Sequence, residues 1–306
     1  MTSLNETTTK TSAVAKLFAL ASYIGALLVM TVYFLVFLMP SAVYLDKIVP
    51  ANHHVLPYIS LDKSPSAHIA IALVVDLLLL VSFGFFHSLL ARPRTKAYMK
   101  IPVSVERSFY LMQSNVFLVL QMVFWRDFGA PTLWNGLNIP AVKYSLVAIN
   151  LGGYLFLVTS TFALDHFHLF GLSQAFGTDI NAMVGLGSPK DENDTGNFVN
   201  RWHYKVVAHP IMTGALTMFW ATPYMTMPRF LVAIVMTLYI GIGVCHFEEP
   251  DLKKELGAPY AKYLNSVPRF VPGLKRCKVS TDNQDQAAAA ESRDGQTSGR
   301  ENECVA

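Results

Sequence analysis

Residues 202–272 read WHYKVVAHPIMTGALTMFWATPYMTMPRFLVAIVMTLYIGIGVCHFEEPDLKKELGAPYAKYLNSVPRFVP. Two apolar runs, 206–221 and 230–247, are joined by a short proline-punctuated turn and followed by a dense polar segment. Glu248 and Glu249 stand at the end of the second run, where a membrane helix meets water. Ionisable groups at that depth are costly and read by default as a site. His209-Pro210, at the start of the first run, and the series Tyr260, Tyr263, Arg269 are placed to fold back over the same point.

The rest of the chain agrees with a membrane reading. Of 306 residues, 52% are hydrophobic and 15% charged, and the mean hydropathy is +0.35; a soluble domain carries about 25% charged residues. A spanning helix needs roughly 20 apolar residues. Six segments qualify: 14–38, 68–90, 109–125, 143–164, 206–221 and 230–247. The expected fold is an all-α polytopic bundle of about six transmembrane helices with a C-terminal interfacial helix. Its membrane domain covers 13–272, after a polar segment 1–12 and before a disordered tail 273–306 rich in Gln, Asp, Ser and Ala. The first run is too long for a signal peptide and lacks a cleavage site, so it is read as a helix. Nineteen Lys and Arg fall on the side of the N-terminus and five on the other, which predicts a multi-pass protein with both termini cytosolic. The net charge of +3 comes from dispersed basic residues, a pattern unlike a nucleic-acid patch.

Along the chain, His53-His54 lack a ligand partner at metal spacing and read as a solvated loop. Nor do the nine histidines form the HxxxH or HxxHH boxes of a di-iron hydroxylase, so no metal is expected. Asp76 lies inside the second apolar segment and must face the bundle interior, either for function or to bond a neighbouring helix. His87 ends that helix near the cytosolic side, as a structural histidine or a ligand contact. Glu106 stands in a first helical turn, where the dipole favours it. Gln113, Ser114, Asn115 and Gln121 mark a buried helix, and Gly152-Gly153 a close helix approach. Asp165, His166 and His168 gather ionisable groups at a helix end, as an interfacial cap or a lining of the substrate side. Residues 177–200 form an acidic loop whose Gly185-Leu186-Gly187 is no nucleotide fingerprint. The sequons at Asn5 and Asn193 fall on the cytosolic side, and Cys245, Cys277 and Cys304 make no pattern.

A sulfonium donor such as S-adenosylmethionine calls for carboxylates, aromatic faces and free backbone donors at a helix terminus. Glu248 and Glu249 supply charge; Trp202, Tyr260 and Tyr263 supply faces; the helix start at His209-Pro210 supplies N–H groups. The competing reading pairs Glu249 with Lys253 at i,i+4 and leaves the tyrosines as an interfacial belt.

The block resembles the C-terminal signature of isoprenylcysteine carboxyl methyltransferases, phospholipid methyltransferases and their membrane relatives. His209-Pro210 with Gly214, then Glu248-Glu249, then Gly257, Tyr260, Tyr263 and Val267-Pro268 carry the resemblance. Upstream, Phe86-His87-Ser88 with Ala91-Arg92-Pro93, Glu106-Arg107-Ser108 and Asp165-His166-Phe167 with Leu169-Phe170-Gly171-Leu172 resemble the methanethiol S-methyltransferase branch. Trp220-Ala221-Thr222-Pro223 and Glu248-Glu249-x-Asp251-Leu252 do so too, and the likeness covers about residues 70–272.

The resemblance implies S-adenosylmethionine as donor, a small thiol as acceptor, and dimethyl sulfide as product, in contact with membrane lipids. It implies a cofactor site of His209, Pro210, Gly214, Glu248, Glu249, Tyr260 and Tyr263. Arg92, Glu106, Arg107, Asp165 and His166 line the substrate side, and Glu249, His166 and His87 are the candidate bases. An isoprenylcysteine or lipid acceptor, or a non-catalytic nurim-like protein, is the alternative. The family arginine before His-Pro is Ala208 here. Lys205, one turn earlier, is its expected substitute, and Ala208→Arg is expected to leave transfer equal or better.

Overall fold

The computed structural model describes residues 12–44, 46, 60–129, 131–186 and 202–274. The N-terminal segment 1–11, His53-His54, the loop from Gly187 to Asn200, both sequons, and the tail from Lys275 with Cys277 and Cys304 lie outside the described residues.

Helix α1 (Ala13–Val32) is capped by Ser12, whose hydroxyl accepts from the Ala15 N–H, and runs on through a π-helical turn, Tyr33–Phe37. Helix α2 (Ile69–Ala91) stops before Pro93, because a residue preceding proline is pushed out of the helical region. The short α3 (Pro93–Met99) ends at Lys100 in the left-handed region and leads into α4 (Val103–Phe124). Strand β1 (Thr132–Asn135) precedes α5 (Pro140–Leu164), which carries proline in its first turn, where no N–H is missed. Three short helices follow: α6 (His166–Leu169), α7 (Leu172–Phe176) and α8 (Ile180–Met183). Then come α9 (Pro210–Trp220), β2 (Tyr224–Thr226), α10 (Met227–Ile242) with its π-helical continuation Gly243–Glu248, and α11 (Glu249–Ser266).

The architecture is an all-α polytopic bundle. Helix α4 packs on α1 and α2, α9 on α5 and α10, and α10 closes on α2. The strands β1 and β2 form one small antiparallel ribbon, with Trp134 opposite Met225 and Asn135 opposite Tyr224. Tyr33, Phe37, Leu80, Phe83, Trp125, Leu157, Met218 and Val232 fill the shared core. On α2 the outward stripe Ile71, Val74, Leu78, Val81 and Phe85 is apolar and more than half exposed at every position. An exposed apolar stripe of that length is unfavourable in water and favourable in lipid. Among the described residues, four helical stretches are long and apolar enough to cross a membrane: Ala13–Phe37, Ile69–Ala91, Pro140–Leu164 and Met227–Ser266.

Three segment boundaries differ from the sequence expectation. The run expected at 206–221 is helical only over the 11 residues of α9, roughly 16 Å at 1.5 Å per residue. The Ala208 and His209 N–H groups donate instead to the carbonyls of Pro268 and Arg269, at 2.7 and 3.1 Å. The run expected to start at Phe109 starts at Val103, since its polar first turn is helical too. Glu248 and Glu249 do not end a rod: the helix passes through them into α11 and kinks at Gly257, whose φ of 68° is left-handed.

Asp76 faces the interior, as its cost in lipid demands. It is fully buried, and its Oδ1 accepts from the Arg126 N–H at 2.9 Å just past the end of α4. Gly153 makes the expected close approach, and its partner is Gly214.

Candidate active site

The site grows from the connection that enters α9. Pro210 starts the helix and leaves His209 as its N-cap, with φ −126° and ψ 68°. The two N–H groups before it are held by the backbone of the segment 267–270, and the Thr213 hydroxyl donates to the Phe270 carbonyl at 2.8 Å. The C-terminal segment is thus clamped over the start of α9. Glu249, first residue of α11, projects into this corner and is 2% exposed.

One carboxylate meets two partners there. Arg269 Nε donates to Glu249 Oε1 at 2.9 Å and Nη2 to Oε2 at 2.8 Å, a bidentate fork. His209 Nε2 lies 3.1 Å from Glu249 Oε1, and its Nδ1 lies 3.3 Å from Glu248 Oε1. Glu248 is the accessible member of the pair, its side chain 42% exposed. His209 itself precedes the helix. Burial works against its charged form, but the hydrogen bonds and charges of Glu248 and Glu249 outweigh burial and raise its pKa above the ordinary histidine value. Hydrogen bonding to Glu249 likewise raises Arg269.

A folded value above the unfolded one has a defined sign. The stability His209 contributes is complete below the ordinary histidine pKa and is lost as pH rises through the elevated value. The melting temperature is therefore expected to fall as pH rises from about 6.5 upward, and the fall to flatten in His209→Gln. Differential scanning fluorimetry across that range checks it; an unchanged slope in the variant would contradict it.

Tyr260 and Tyr263 wall the corner from behind. They are 4% and 5% exposed, their rings lie 5.9 Å apart, and Tyr263 Oη donates to the Tyr204 carbonyl at 2.7 Å. Ala208 is buried among Tyr260, Tyr263, Leu264 and Val267. The guanidinium that meets Glu249 comes from Arg269, while Lys205 is exposed. With the fork already made and no room beside Ala208, the sequence expectation for Ala208→Arg reverses. That variant is expected to melt lower than the parent and to transfer methyl more slowly, as thermal melting and initial rates would show. Lys253, the alternative partner for Glu249, is exposed on α11.

The remaining predicted residues divide into three places. Arg92 lies 3.3 Å from Asp251 and stacks over Phe247, its guanidinium carbon 4.2 Å from the ring centroid, so it ties the end of α2 to α11. Glu106 pairs with Lys96 at 2.8 Å. Arg107 and Ser108 back onto Gly171, whose φ of 84° and lack of a Cβ permit the contact. His87 lies between Ser114 and Tyr110. His166 sits apart in an aromatic cage, stacked 4.0 Å from Phe162, with Tyr23 Oη 3.0 Å from Nε2 and Thr161 Oγ1 2.7 Å from Nδ1. Asp165, at φ 116°, caps α6 through the His168 N–H. Gly214 belongs to the crossing with α5, a packing position beside the corner.

Two parts of the arrangement escaped the sequence reading. The fork of Arg269 was visible only as one member of a series, and Tyr110 hid in the apolar run of α4 that follows its polar first turn.

The chain is 36% identical over 229 residues to methanethiol S-methyltransferase 2 of Bradyrhizobium diazoefficiens, covering 73% of this chain and 82% of the relative. It is 37% identical over 215 residues to methanethiol S-methyltransferase of Mycobacterium tuberculosis, covering 70% and 83%. The chain belongs to the methanethiol S-methyltransferase family. It is a membrane methyltransferase, and a methyl donor is part of its chemistry. Nurim of Sus scrofa is a more remote relative, 28% identical over 180 residues, 57% of this chain and 66% of that one. No family model and no solved structure matches the chain.

Proposed function

We propose that this methyltransferase moves a methyl group from S-adenosylmethionine to methanethiol, giving dimethyl sulfide and S-adenosylhomocysteine. The observation that carries the donor assignment is the acidic corner at His209: a buried carboxylate locked by Arg269, beside a second, Glu248, left accessible. That donor set suits a cation with an amino-acid head. The acceptor assignment rests on what the relatives at 36% and 37% identity are named for. Those names favour a small thiol over an isoprenylcysteine or lipid.

In this reading Glu248 faces the donor's positive charge, and Glu249 with Arg269 and His209 sets the shape of the pocket. Bound there, the donor supplies an electrophilic methyl group on a sulfonium. The protein's part is to align the thiol, exclude water and remove the thiol proton, so positioning in a dry cleft accounts for most of the rate. An apolar groove of about 450 Å³ between α2 and α10, with Ser88, Arg92 and Phe247 at one end, offers a route for a lipid-soluble thiol. The chain is read as multi-pass with both termini in the cytosol, where the charged donor is dissolved, on the distribution of Lys and Arg.

The test is direct. Purified protein in nanodiscs, given methanethiol and methyl-labelled S-adenosylmethionine, is expected to release labelled dimethyl sulfide into the headspace. Label appearing in lipid or a prenylated peptide, with none in dimethyl sulfide, would overturn the acceptor. Calorimetry showing no binding of S-adenosylhomocysteine would overturn the donor.

A further inference from the structure

We infer that Tyr110 is the group that takes the thiol proton, working through His87; this rests on the thiol reading of the site. With the Ser114 proton on the Tyr110 carbonyl, every bond in the chain takes one direction. Ser114 Oγ donates its one proton to the Tyr110 carbonyl at 3.0 Å, so toward His87 Nδ1, 3.0 Å away, it can only accept. Nδ1 therefore carries the imidazole proton, and Nε2 holds a free lone pair. Tyr110 Oη lies 2.7 Å from Nε2 and must donate to it. The tautomer is thus assigned from the network, and it makes His87 an acceptor aimed at a phenol.

Packing holds this pair in register. His87 stacks on Phe83 at 5.2 Å and leans on the Tyr110 ring at 4.9 Å. Helix α2 presents His87 and α4 presents Tyr110 and Ser114 one turn apart, so the relay spans two helices whose contact is part of the bundle. Ser88, beside His87 on α2, meets Tyr239 Oη at 3.0 Å, and both residues line the groove between α2 and α10. His166 is held in the same way, by Thr161 and Tyr23, but inside a separate aromatic cage with Phe162 and Phe170.

The step balances as follows. The thiol S–H proton passes to Tyr110 Oη while the Tyr110 proton passes to His87 Nε2, leaving a thiolate and an imidazolium. The thiolate sulfur forms a bond to the donor's methyl carbon as the carbon–sulfonium bond breaks, and that electron pair stays on the donor sulfur. One positive charge enters with the donor and one remains on His87 until it is released to water. Tyr110 is thus the catalytic contact and His87 the terminal acceptor.

Two acceptors separate this role from a structural one. At pH 8 methanethiol is almost wholly protonated, whereas hydrogen sulfide, which is smaller, is mostly ionised and needs no base. Tyr110→Phe keeps the ring and its packing and removes only the hydroxyl. It is expected to slow methylation of methanethiol by about 10²-fold or more, and that of hydrosulfide by no more than several-fold. His87→Gln should follow the same split, and S-adenosylhomocysteine affinity should be unchanged in Tyr110→Phe. Solid-state NMR of ¹⁵N-histidine protein in lipid, assigned by comparison with His87→Gln, is expected to show His87 neutral and protonated on Nδ1. An equal loss on both acceptors, no loss on either, or an Nε2–H signal for His87 would overturn the relay while leaving the function standing. A parent protein that methylates neither thiol would remove the functional reading, and the relay with it.

Discussion

Glu249→Gln is expected to abolish methyl transfer. The Glu249 side chain is 3% exposed and meets the Arg269 fork at 2.9 and 2.8 Å and His209 at 3.1 Å. An amide of the same shape carries no charge and offers only one oxygen: either the Nη2 arm of the guanidinium loses its acceptor, or the Nε arm and the imidazole lose theirs together. Removing one partner of a fully buried ion pair typically costs about 3–5 kcal/mol, because the other charge stays behind; with the Arg269 side chain 37% exposed, water screens part of that cost here. Here the stranded charge is positive, at a place proposed to receive a cation. Donor affinity is therefore expected to fall along with stability. Initial rates in nanodiscs, S-adenosylhomocysteine calorimetry and thermal melting on the same preparation measure the three effects. Transfer within about tenfold of the parent, or roughly 1.4 kcal/mol, would show that the locked carboxylate is dispensable.

Gly214→Val is expected to prevent the bundle from forming its native crossing. A Cβ at Gly214 would lie 2.6 Å from the Gly153 carbonyl oxygen, 2.7 Å from Leu157 Cβ and 2.8 Å from Leu157 N. Two of those three atoms are backbone, so no rotamer change relieves the overlap and α5 and α9 must separate. Overpacking ordinarily costs about 1–3 kcal/mol and more when the backbone must move. The penalty reaches the site as well, since His209 caps the same helix one turn before Gly214. Gly152→Ala, on the same turn of α5 with nothing within 4 Å, is the control, and is expected within about 0.5 kcal/mol of the parent. Size-exclusion behaviour and melting in detergent decide it; a Gly214→Val protein that elutes and melts like the control would contradict the crossing.

The main helices were legible because lipid imposes a crude and strong rule: long apolar runs with every backbone group bonded internally. The segments at 14–38, 68–90 and 143–164 became α1, α2 and α5 with small shifts. The rule failed where a backbone found a partner outside its own helix. Val206 to Ala208 are apolar enough to extend α9, yet the Ala208 and His209 N–H groups are satisfied by residues 268 and 269, and Pro210 then starts the helix afresh. It failed again at Val103, because a polar first turn is as helical as an apolar one and hydropathy does not register it.

At the proposed site, residue types and spacing marked His209, Glu248 and Glu249 as candidates beside the reading that paired Glu249 with Lys253, and the family resemblance chose between the two. The division of labour between those carboxylates was not legible. Nor was the arrival of Arg269 at the corner beside Ala208: the two positions are 61 residues apart in the chain and meet only because the segment after α11 returns across the start of α9.

By itself the amino-acid order determined a membrane bundle, its main helices and the acidic, aromatic composition of its C-terminal corner, because hydropathy and charge act locally along a chain. Tertiary structure alone decided which carboxylate is locked, which histidine is caged and which tyrosine faces His87. Those are matters of angle and distance between helices, and hydrogen bonds recognise only what lies within about 3 Å of them.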